Sequence, residues 1–289
     1  MTKEEFLRLA EQVIILDGAT GSNLIKAGMP RGVCTEQWIL EHEDVLLNLQ
    51  RAYVEAGSQI VYAPTFGGNR MNLESHGLGE KIEELNTRLV ELSKRAVEGR
   101  AYVAGDITTC GKILGSCEEA SYEAALERYK EQITYLVNAG VDLLVAETMI
   151  SIDETVAAVE AARAVCDLPI MCSMTVEADG TIFSGGSAVE AVLTLQEVGA
   201  TAVGINCSVG PDQLEAIVAN MKQAATVPVI VKPNAGMPTI TDKGEAVYSM
   251  TPDEFAVHMK KLIAAGASVV GGCCGTTPEF IQKLSTCIR

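Results

Sequence analysis

The sequence predicts a single (β/α)8 barrel of the TIM type, with its active site at the C-terminal face. Eight short runs of apolar and β-branched residues alternate with longer stretches in which apolar residues recur every three or four positions. Strands that alternate with helices imply βαβ units and a parallel sheet. Eight such units in 289 residues match the count and size of a closed barrel. The predicted strands are 13–16, 59–63, 102–106, 142–146, 169–174, 202–206, 227–231 and 267–270.

The segments between these runs predict the helices and turns. Several helical stretches begin with Ser, Asp or Pro, which favour a first turn. The predicted helices are 80–98, 121–139, 153–165, 211–224 and 252–265, together with a charged helical start at 1–11. The longest irregular stretches are 27–35, 67–79, 108–120 and 235–248. Because no Pro-rich, Ser-rich or charged linker divides the chain, one domain over 1–289 is expected.

Composition disfavours several classes of protein. No run approaches the roughly 18 apolar residues that cross a bilayer, and the start is charged, so a cytoplasmic protein is expected. The net charge of −16 disfavours nucleic acid and an anionic membrane surface as partners. Nine irregularly spaced cysteines fit a reducing compartment, where thiols serve as core residues, metal ligands or nucleophiles.

Three cysteines that directly follow predicted strands indicate a metal site. Cys207 ends Gly-Ile-Asn-Cys after the sixth strand, and Cys273 and Cys274 lie in Gly-Gly-Cys-Cys-Gly after the eighth. In a barrel these positions converge on the mouth. Adjacent strand residues point to opposite faces, so the pair can share one ion only if the backbone leaves strand geometry, as the flanking glycines allow. Buried core cysteines are the alternative interpretation.

The ligand set favours zinc. Thiolates prefer zinc to magnesium or calcium, and three of them without an obvious fourth ligand indicate a catalytic ion with an open position. Such an ion activates water weakly, but a substrate thiol bound to it becomes a nucleophilic thiolate. An iron–sulfur centre usually has a fourth cysteine at closer spacing, and Cys110 is expected to pack in its loop.

Polar residues at other strand ends are candidates for substrate binding. Asp17 follows the first strand and Glu147 the fourth, where a charge is costly unless it is paired or hydrated. They form structural salt bridges or they receive a substrate ammonium. Backbone N–H groups at Gly18, and around Thr65 and Phe66, could hold a carboxylate.

Asn234 follows the seventh strand, between the strands that carry the cysteines. Its amide oxygen is a candidate fourth zinc ligand in the empty enzyme, and loop capping is the alternative. His42, His76 and His258 fall in predicted helices or distal loops, where surface or packing roles are expected. A zinc hydrolase, which commonly uses histidine ligands, is therefore disfavoured.

Seven motifs, spread over nearly the whole chain, are shared with a known family. They are 16–19, 65–67 with Arg70, Met71 and Leu73, 105–107, 147–148, 204–208, 233–236, and Gly-Gly-Cys-Cys-Gly-Thr-Thr-Pro at 271–278. On these residues the chain resembles the zinc-dependent homocysteine S-methyltransferases, and most closely the homocysteine-binding barrel of cobalamin-dependent methionine synthase. The resemblance implies that the three cysteines bind zinc, that Asp17 and Glu147 hold the amino group of homocysteine, and that backbone near Gly18 and Thr65 holds its carboxylate.

The expected reaction is therefore methyl transfer to the sulfur of homocysteine to form methionine, with methylcobalamin on a separate corrinoid protein as donor. Direct transfer from S-methylmethionine, S-adenosylmethionine or a betaine is an alternative. With one Trp, five Phe and seven Tyr, an aromatic cage for a quaternary ammonium is hard to build. A zinc or thiol sensor is the alternative of another class, although a sensor needs no deep mouth with two carboxylates.

Overall fold

The computed structural model shows the predicted barrel of parallel strands, and it describes residues 1–111, 114–116, 120–241 and 246–288. The barrel strands are β1 (Ile14–Ile15), β2 (Ile60–Tyr62), β3 (Tyr102–Ile107), β4 (Leu143–Met149), β5 (Ile170–Met174), β6 (Ala202–Asn206), β7 (Val229–Lys232) and β10 (Ala267–Val270), and β8 (Thr239–Ile240) and β9 (Ala246–Val247) form a separate antiparallel pair. The sheet order is β1-β10-β7-β6-β5-β4-β3-β2. A parallel bridge between Leu16 and Ile60 joins its two edges and closes the barrel.

Helices lie between successive strands of the barrel, before the first strand and after the last. They are α1 (Lys3–Leu9), α2 (Gly21–Lys26), α3 (Thr35–Glu41), α4 (Glu43–Ala56), α5 (Arg70–Ser75), α6 (Ile82–Val97), α7 (Tyr122–Asn138), α8 (Ile152–Val165), α9 (Ala188–Glu197), α10 (Glu215–Ala224), α11 (Pro252–Ala264) and α12 (Pro278–Ile288). Short 3-10 helices span Gly79–Lys81 and Pro211–Gln213. Capping follows the usual chemistry: Ser121 accepts a hydrogen bond from the N–H of Ala124, and Thr251 forms a capping box with Glu254.

Three predicted elements differ from the structure, and several helices were not predicted. The predicted helix 211–224 is divided into a 3-10 turn and α10. The predicted loop 67–79 contains α5, because the Asn69 side chain accepts a hydrogen bond from the N–H of Asn72 and caps it. The predicted loop 235–248 contains β8 and β9. Five helices, α2, α3, α4, α9 and α12, lie in segments for which no helix was predicted. Part of the predicted loop 108–120 lies outside the described residues.

Side chains alternate between the barrel interior and the layer beneath the helices, as expected for strands buried on both faces. In β4, Leu143 and Val145 belong to the interior cluster, whereas Leu144 and Ala146 pack against the helices. Phe6 of α1 is fully buried in the interior cluster, among residues from the first halves of the strands. Apolar packing therefore fills one end of the barrel, and polar residues occupy the carboxyl ends of the strands.

The close packing of β6 against β7 leads to a stability prediction. A Cβ atom built on Gly204 would overlap the carbonyl group of Ile230, which is backbone and cannot rotate away. Gly204→Ala should therefore lower the free energy of unfolding by about 3 kcal/mol or more. Gly21→Ala is the matched control, because a Cβ there meets no atom within 4 Å, and its unfolding free energy should be unchanged or slightly higher. Urea denaturation of both variants would measure this, and equal stabilities would contradict it.

Candidate metal centre and substrate cavity

The structure brings the three predicted cysteines together at the carboxyl end of the barrel. The sulfur atoms of Cys207, Cys273 and Cys274 all lie within 4.8 Å of one another, and those of Cys207 and Cys274 are 3.5 Å apart. The end of β7 joins the two segments: the N–H of Cys207 donates to the carbonyl oxygen of Lys232, and the N–H of Cys273 donates to that of Pro233. Three thiols from two strands thus form one compact group.

A left-handed backbone turns Cys207 toward this group. Its φ of 50° is unusual for a residue with a side chain. Along β6, Val203 and Ile205 point away from the barrel interior, so a regular strand would carry Cys207 to the same outer side. The change in backbone conformation redirects the sulfur to the mouth. Such strain commonly marks a functional position.

The glycines around Cys273 and Cys274 serve two different purposes. Gly275 has a φ of 84°, and its lack of a side chain also leaves room for the ring of Tyr248. Gly271 and Gly272 have no left-handed backbone, but a Cβ on either would crowd its neighbours, which include the Thr276 side chain beside Gly272. Only Gly275 therefore supplies the backbone freedom that the sequence predicts, and the other two glycines provide space.

The thiol group fits a zinc ion. Tetrahedral zinc with Zn–S bonds of about 2.3 Å holds its sulfurs about 3.8 Å apart, which is close to the spacing of these thiols. The Tyr248 ring packs against Gly275, next to Cys274. The amide oxygen of Asn234 is buried and has no hydrogen-bond partner, while the amide nitrogen donates to the Ser208 carbonyl oxygen at 3.3 Å. Asn234 thus caps a loop and keeps a free oxygen.

Charged residues from several strands form a second buried group beside the thiols. Asp17 accepts a hydrogen bond from the N–H of Tyr62 at 2.8 Å, and its other oxygen lies 3.3 Å from Nζ of Lys232. That Nζ also stands 4.7 Å from the centre of the Tyr62 ring. The buried carboxyl of Asp106 lies close enough to Glu147 for the Glu147 charge to raise its pKa. The group therefore holds three carboxyls and one ammonium.

Burial controls the protonation of these carboxyls. Removal from water raises the pKa of Glu147 to about 7, although the Lys232 ammonium opposes the rise. Removal from water, together with the Glu147 charge, raises the pKa of Asp106 well above its usual range. Burial also raises the pKa of Asp17, with the Lys232 charge again acting in the opposite direction. Two neighbouring carboxyls in such a setting share a proton readily.

Asn206 lies between the buried carboxyl side chains and the three thiols. Its amide oxygen accepts hydrogen bonds from the N–H of Thr148 and from the hydroxyl of Ser173, both at 2.8 Å. Its amide nitrogen donates to the Thr148 hydroxyl at 2.8 Å and lies 3.5 Å from Glu147 and 3.9 Å from the Cys273 sulfur. Thr148 has a φ of 58°, so these bonds hold a strained turn directly after Glu147.

A cavity of about 830 Å³ contains both groups and opens at the carboxyl end of the barrel. Its inner part is lined by Asp17, Glu147, Lys232 and the three cysteines, and its outer part by loop and helix residues that include Glu36 and His76. Its volume lies within the range of about 300–1,000 Å³ typical of ligand sites. The cavity is therefore large enough for a small molecule beside the three thiols together with a second reactant.

The remaining residues predicted to bind substrate lie at or near this cavity. Gly18 and Phe66 line it, and neither N–H has a partner among the described residues. Thr65 is fully buried behind the cavity: its N–H donates to Ala63, and its hydroxyl donates to the carbonyl oxygen of Asp106 at 2.8 Å. Thr65 therefore joins β2 to β3, and its own N–H is already bonded. Of the backbone N–H groups predicted to hold a carboxylate, those of Gly18 and Phe66 are free to donate to a ligand.

The histidines and Cys110 are distributed as follows. His42 stacks on Trp38 and has a packing role, as predicted. His258 lies half-buried on α11, away from the cavity. His76 is exposed at the outer part of the cavity, so its predicted distal position is wrong. Cys110 is buried in its loop and lines the cavity, but it does not join the three-thiol group.

Lys232, Asp106 and Glu36 belong to the cavity although no sequence motif assigns them a role. Lys232 and Asp106 each lie two positions after an inward-facing residue, Ile230 and Ala104 respectively, at the end of a strand. Strand alternation therefore carries a signal for both. Glu36 is a buried carboxylate on α3 that accepts a hydrogen bond from the N–H of Gly67 at 2.8 Å, and only the packing of α3 places it there.

Comparison with known proteins identifies the family. The sequence pattern of the homocysteine S-methyltransferases matches residues 14–288. The chain belongs to this family. It is 32% identical over 298 residues to methionine synthase from Mycobacterium leprae and 30% identical over 298 residues to that from Mycobacterium tuberculosis. The alignments include 97% of this chain but only 24% and 25% of those proteins, so the chain spans about a quarter of their length.

Solved structures support the same fold. The metallated form of the homocysteine methyltransferase MmuM from Escherichia coli superposes with a TM-score of 0.81. The superposition covers 98% of this chain and 99% of MmuM, at 24% sequence identity. At that identity the likeness concerns the barrel itself. In the parts of the chain that the structure describes, no helix is long and apolar enough to cross a membrane.

The buried Glu36 carboxyl predicts a pH dependence of stability. Burial raises its pKa above the ordinary value of 4.5, so the folded protein keeps a proton that the unfolded chain releases. The free energy of unfolding should therefore fall as the pH rises from 4.5 through the higher pKa of the folded state. Glu36→Gln should reduce this fall, whereas Glu41→Gln, an exposed position on the same helix, should not. Urea denaturation across this pH range measures the difference, and a slope unaltered by Glu36→Gln would refute the assignment.

Proposed function

We propose that this barrel transfers a methyl group to the sulfur of homocysteine and forms methionine, with zinc at the three-thiol group. The observation that carries the proposal is the placement of three convergent thiols beside a group of buried carboxyls, in one cavity. The thiols suit a metal that binds a substrate sulfur, and the carboxyls suit the ammonium of an amino acid. Membership in the homocysteine S-methyltransferase family supports this choice of substrate.

In this proposal Cys207, Cys273 and Cys274 hold the zinc, and Asn234 offers its free amide oxygen as a fourth ligand when no substrate is present. Zinc would lower the pKa of the substrate thiol and leave a nucleophilic thiolate at neutral pH. Tyr248, whose ring packs against Gly275 beside Cys274, would help to hold that ligand in place.

The substrate backbone would lie against the charged group. Glu147, held by Asn206, would accept the ammonium, and Asp17 is the second predicted partner for it. The free N–H groups of Gly18 and Phe66 would contribute to holding the carboxylate. Fixing the amino acid at both ends aims its sulfur at the methyl donor, and good orientation of two reactants can contribute roughly 7–11 kcal/mol to lowering a barrier.

We infer that the methyl donor is methylcobalamin carried by a separate corrinoid protein. Likeness to parts of methionine synthases supports this donor. Large apolar side chains are exposed in the segments that follow the barrel strands, as at Phe66, Phe183, Met237 and Ile240. Exposed apolar groups around a cavity are typical of a surface that meets a partner. These groups would face the corrinoid domain when it delivers the methyl group.

We further infer that residues 1–289 work as one barrel domain in the cytoplasm. All the cysteines that the structure describes are unpaired, which suits a reducing compartment.

Removal of any one of the three thiols tests the metal assignment. Cys207→Ala, Cys273→Ala and Cys274→Ala should each lose bound zinc and methyl transfer together, because two thiolates hold the ion less firmly than three. Cys110→Ala is the matched control: it removes a thiol from the same cavity and should keep its zinc. Elemental analysis of the purified proteins, combined with a homocysteine methylation assay, measures both effects. Full activity in a zinc-free variant would rule out the proposed chemistry.

A donor comparison tests the second reactant. Zinc-loaded protein with homocysteine should form methionine fastest from methylcobalamin, and more slowly or not at all from S-methylmethionine, S-adenosylmethionine or betaine. Chromatographic measurement of methionine with each donor at equal concentration decides between them. Efficient turnover with betaine or a sulfonium donor alone would exclude the corrinoid partner and leave the thiol chemistry in place.

A further inference from the structure

Glu154 is a buried acidic residue that lies behind the cavity wall and does not itself line the cavity. It is only 1% exposed, and it lies in the first turn of α8, where its N–H donates to the side chain of Ser151. Burial of a carboxyl group is costly unless hydrogen-bond donors surround it. A side chain on a capped helix is also held more precisely than one on a loop. The donors around Glu154 therefore show which part of the structure it holds.

Two of these donors belong to the segment that follows β3. One carboxyl oxygen of Glu154 accepts a hydrogen bond from the hydroxyl of Thr109 at 2.8 Å, and the other accepts one from the N–H of Cys110 at 2.6 Å. The Thr109 hydroxyl in turn accepts a hydrogen bond from the N–H of Gly111 at 3.2 Å. All three residues of this segment line the cavity. Glu154 thus holds a stretch of the cavity wall, 109–111, from behind.

Tyr129 of α7 is the third donor. Its hydroxyl lies 2.9 Å from the Glu154 carboxyl and 3.1 Å from the carbonyl oxygen of Thr108, another residue that lines the cavity. Burial raises the pKa of Tyr129 well above its usual range, so the hydroxyl stays protonated and can donate to either oxygen. Two neighbouring helices therefore support the segment after β3, α8 through Glu154 and α7 through Tyr129.

The inner and outer parts of this segment have different supports. The hydroxyl of Thr108 donates to the carbonyl oxygen of Glu147 at 2.8 Å, which ties the start of the segment to β4 without Glu154. Residues 109–111 come after the end of β3, on the side where the cavity opens, and Glu154 holds them. Loss of the Glu154 carboxyl should therefore release the outer wall and leave Glu147 in place.

We propose that Glu154 is a positioning residue for the methyl donor: it fixes residues 109–111 as a wall that orients the donor toward the substrate sulfur. This inference rests on the proposed function, since it assumes that a thiol amino acid fills the inner part of the cavity and the methyl donor the outer part. Methyl transfer needs the two reactants aligned, and a displacement of about 1 Å can cost about 100-fold in rate. The use of the donor, rather than the binding of the thiol, should depend on Glu154.

Replacements that remove or keep the acceptor oxygen of residue 154 test the assignment. Glu154→Met has a similar length and accepts none of the three hydrogen bonds. Its kcat/KM for the methyl donor should fall roughly 10- to 100-fold, while its zinc content and its affinity for homocysteine should be unchanged. Glu154→Gln should restore most of the activity, because its amide oxygen can accept from Cys110 and Tyr129 and its amide nitrogen can donate to the Thr109 hydroxyl.

A second pair of Glu and Tyr on the same two helices provides the matched control. Glu160 of α8 is exposed and accepts a hydrogen bond from the hydroxyl of Tyr122 of α7 at 2.7 Å, and neither residue lines the cavity. Glu160→Met and Tyr122→Phe should keep the donor kinetics of the unaltered protein. Tyr129→Phe should lower kcat/KM for the donor in the same direction as Glu154→Met, but by a smaller factor, because it removes one contact of three.

Methyl transfer to homocysteine would be measured in zinc-loaded variants, with free methylcobalamin and with S-methylmethionine as donors, and homocysteine affinity would be measured by calorimetry. Equal donor kinetics in Glu154→Met and Glu160→Met would overturn the assignment. A parallel loss of homocysteine affinity and donor kinetics would also overturn it, because a general structural role lowers both. If Glu154→Met does not fold, Thr109→Val and Tyr129→Phe decide the question, and unchanged donor kinetics in both would count against the assignment.

Failure of this inference can be told apart from failure of the proposed function. If the unaltered zinc-loaded protein transfers a methyl group from neither donor, the proposed function fails and the role of Glu154 fails with it. If the unaltered protein is active and the variants at 109, 129 and 154 all use the donors as well as it does, only the role of Glu154 is wrong.

Discussion

The convergence of three sulfur atoms within 4.8 Å is the constraint on which the site depends. Cys207 and Cys274 are 67 residues apart in the chain, and they meet because β6 and β10 are both neighbours of β7 in the sheet. The end of β7 then bonds to both cysteine segments and carries Lys232 between them and the carboxyls. One strand thus positions the three thiols and the cation together. A shift of β7 by one residue would turn Lys232 out of the barrel.

Two of the three described residues that have a side chain and a left-handed backbone lie beside this convergence; the third, Glu98, ends α6. Cys207 and Thr148 both have left-handed backbone, which costs of order 1–3 kcal/mol for each residue with a side chain. Asn206 offsets part of this cost, since its amide makes hydrogen bonds to the backbone and the hydroxyl of Thr148. The left-handed backbone of Cys207 directs its sulfur to the carboxyl end of the barrel. The left-handed backbone of Thr148 forms the turn directly after Glu147. The rigid barrel beneath supplies the packing that makes such a conformation stable.

Most of the barrel could be predicted from the sequence, because each strand is a short apolar run between segments in which apolar residues recur every three or four positions. Two of the errors occur where one side-chain contact decides the local structure. Helix α5 depends on the cap made by Asn69, and α9 depends on a similar cap at Ser187. The β8–β9 pair is short and exposed, so its residues carry no burial pattern that would reveal it.

The sequence by itself determined the closed barrel and the convergence of the three thiols, since the carboxyl ends of the strands, and with them Cys207 and Cys274, meet at one end of a barrel. It also placed Asp17 and Glu147 there. Only the tertiary structure decided which groups face one another: Asp17 toward Lys232, and Glu147 toward Asp106 and Asn206. These pairings depend on the register between strands far apart in the chain. A local pattern shows that a polar side chain stands at a strand end, but it does not show which charge stands opposite.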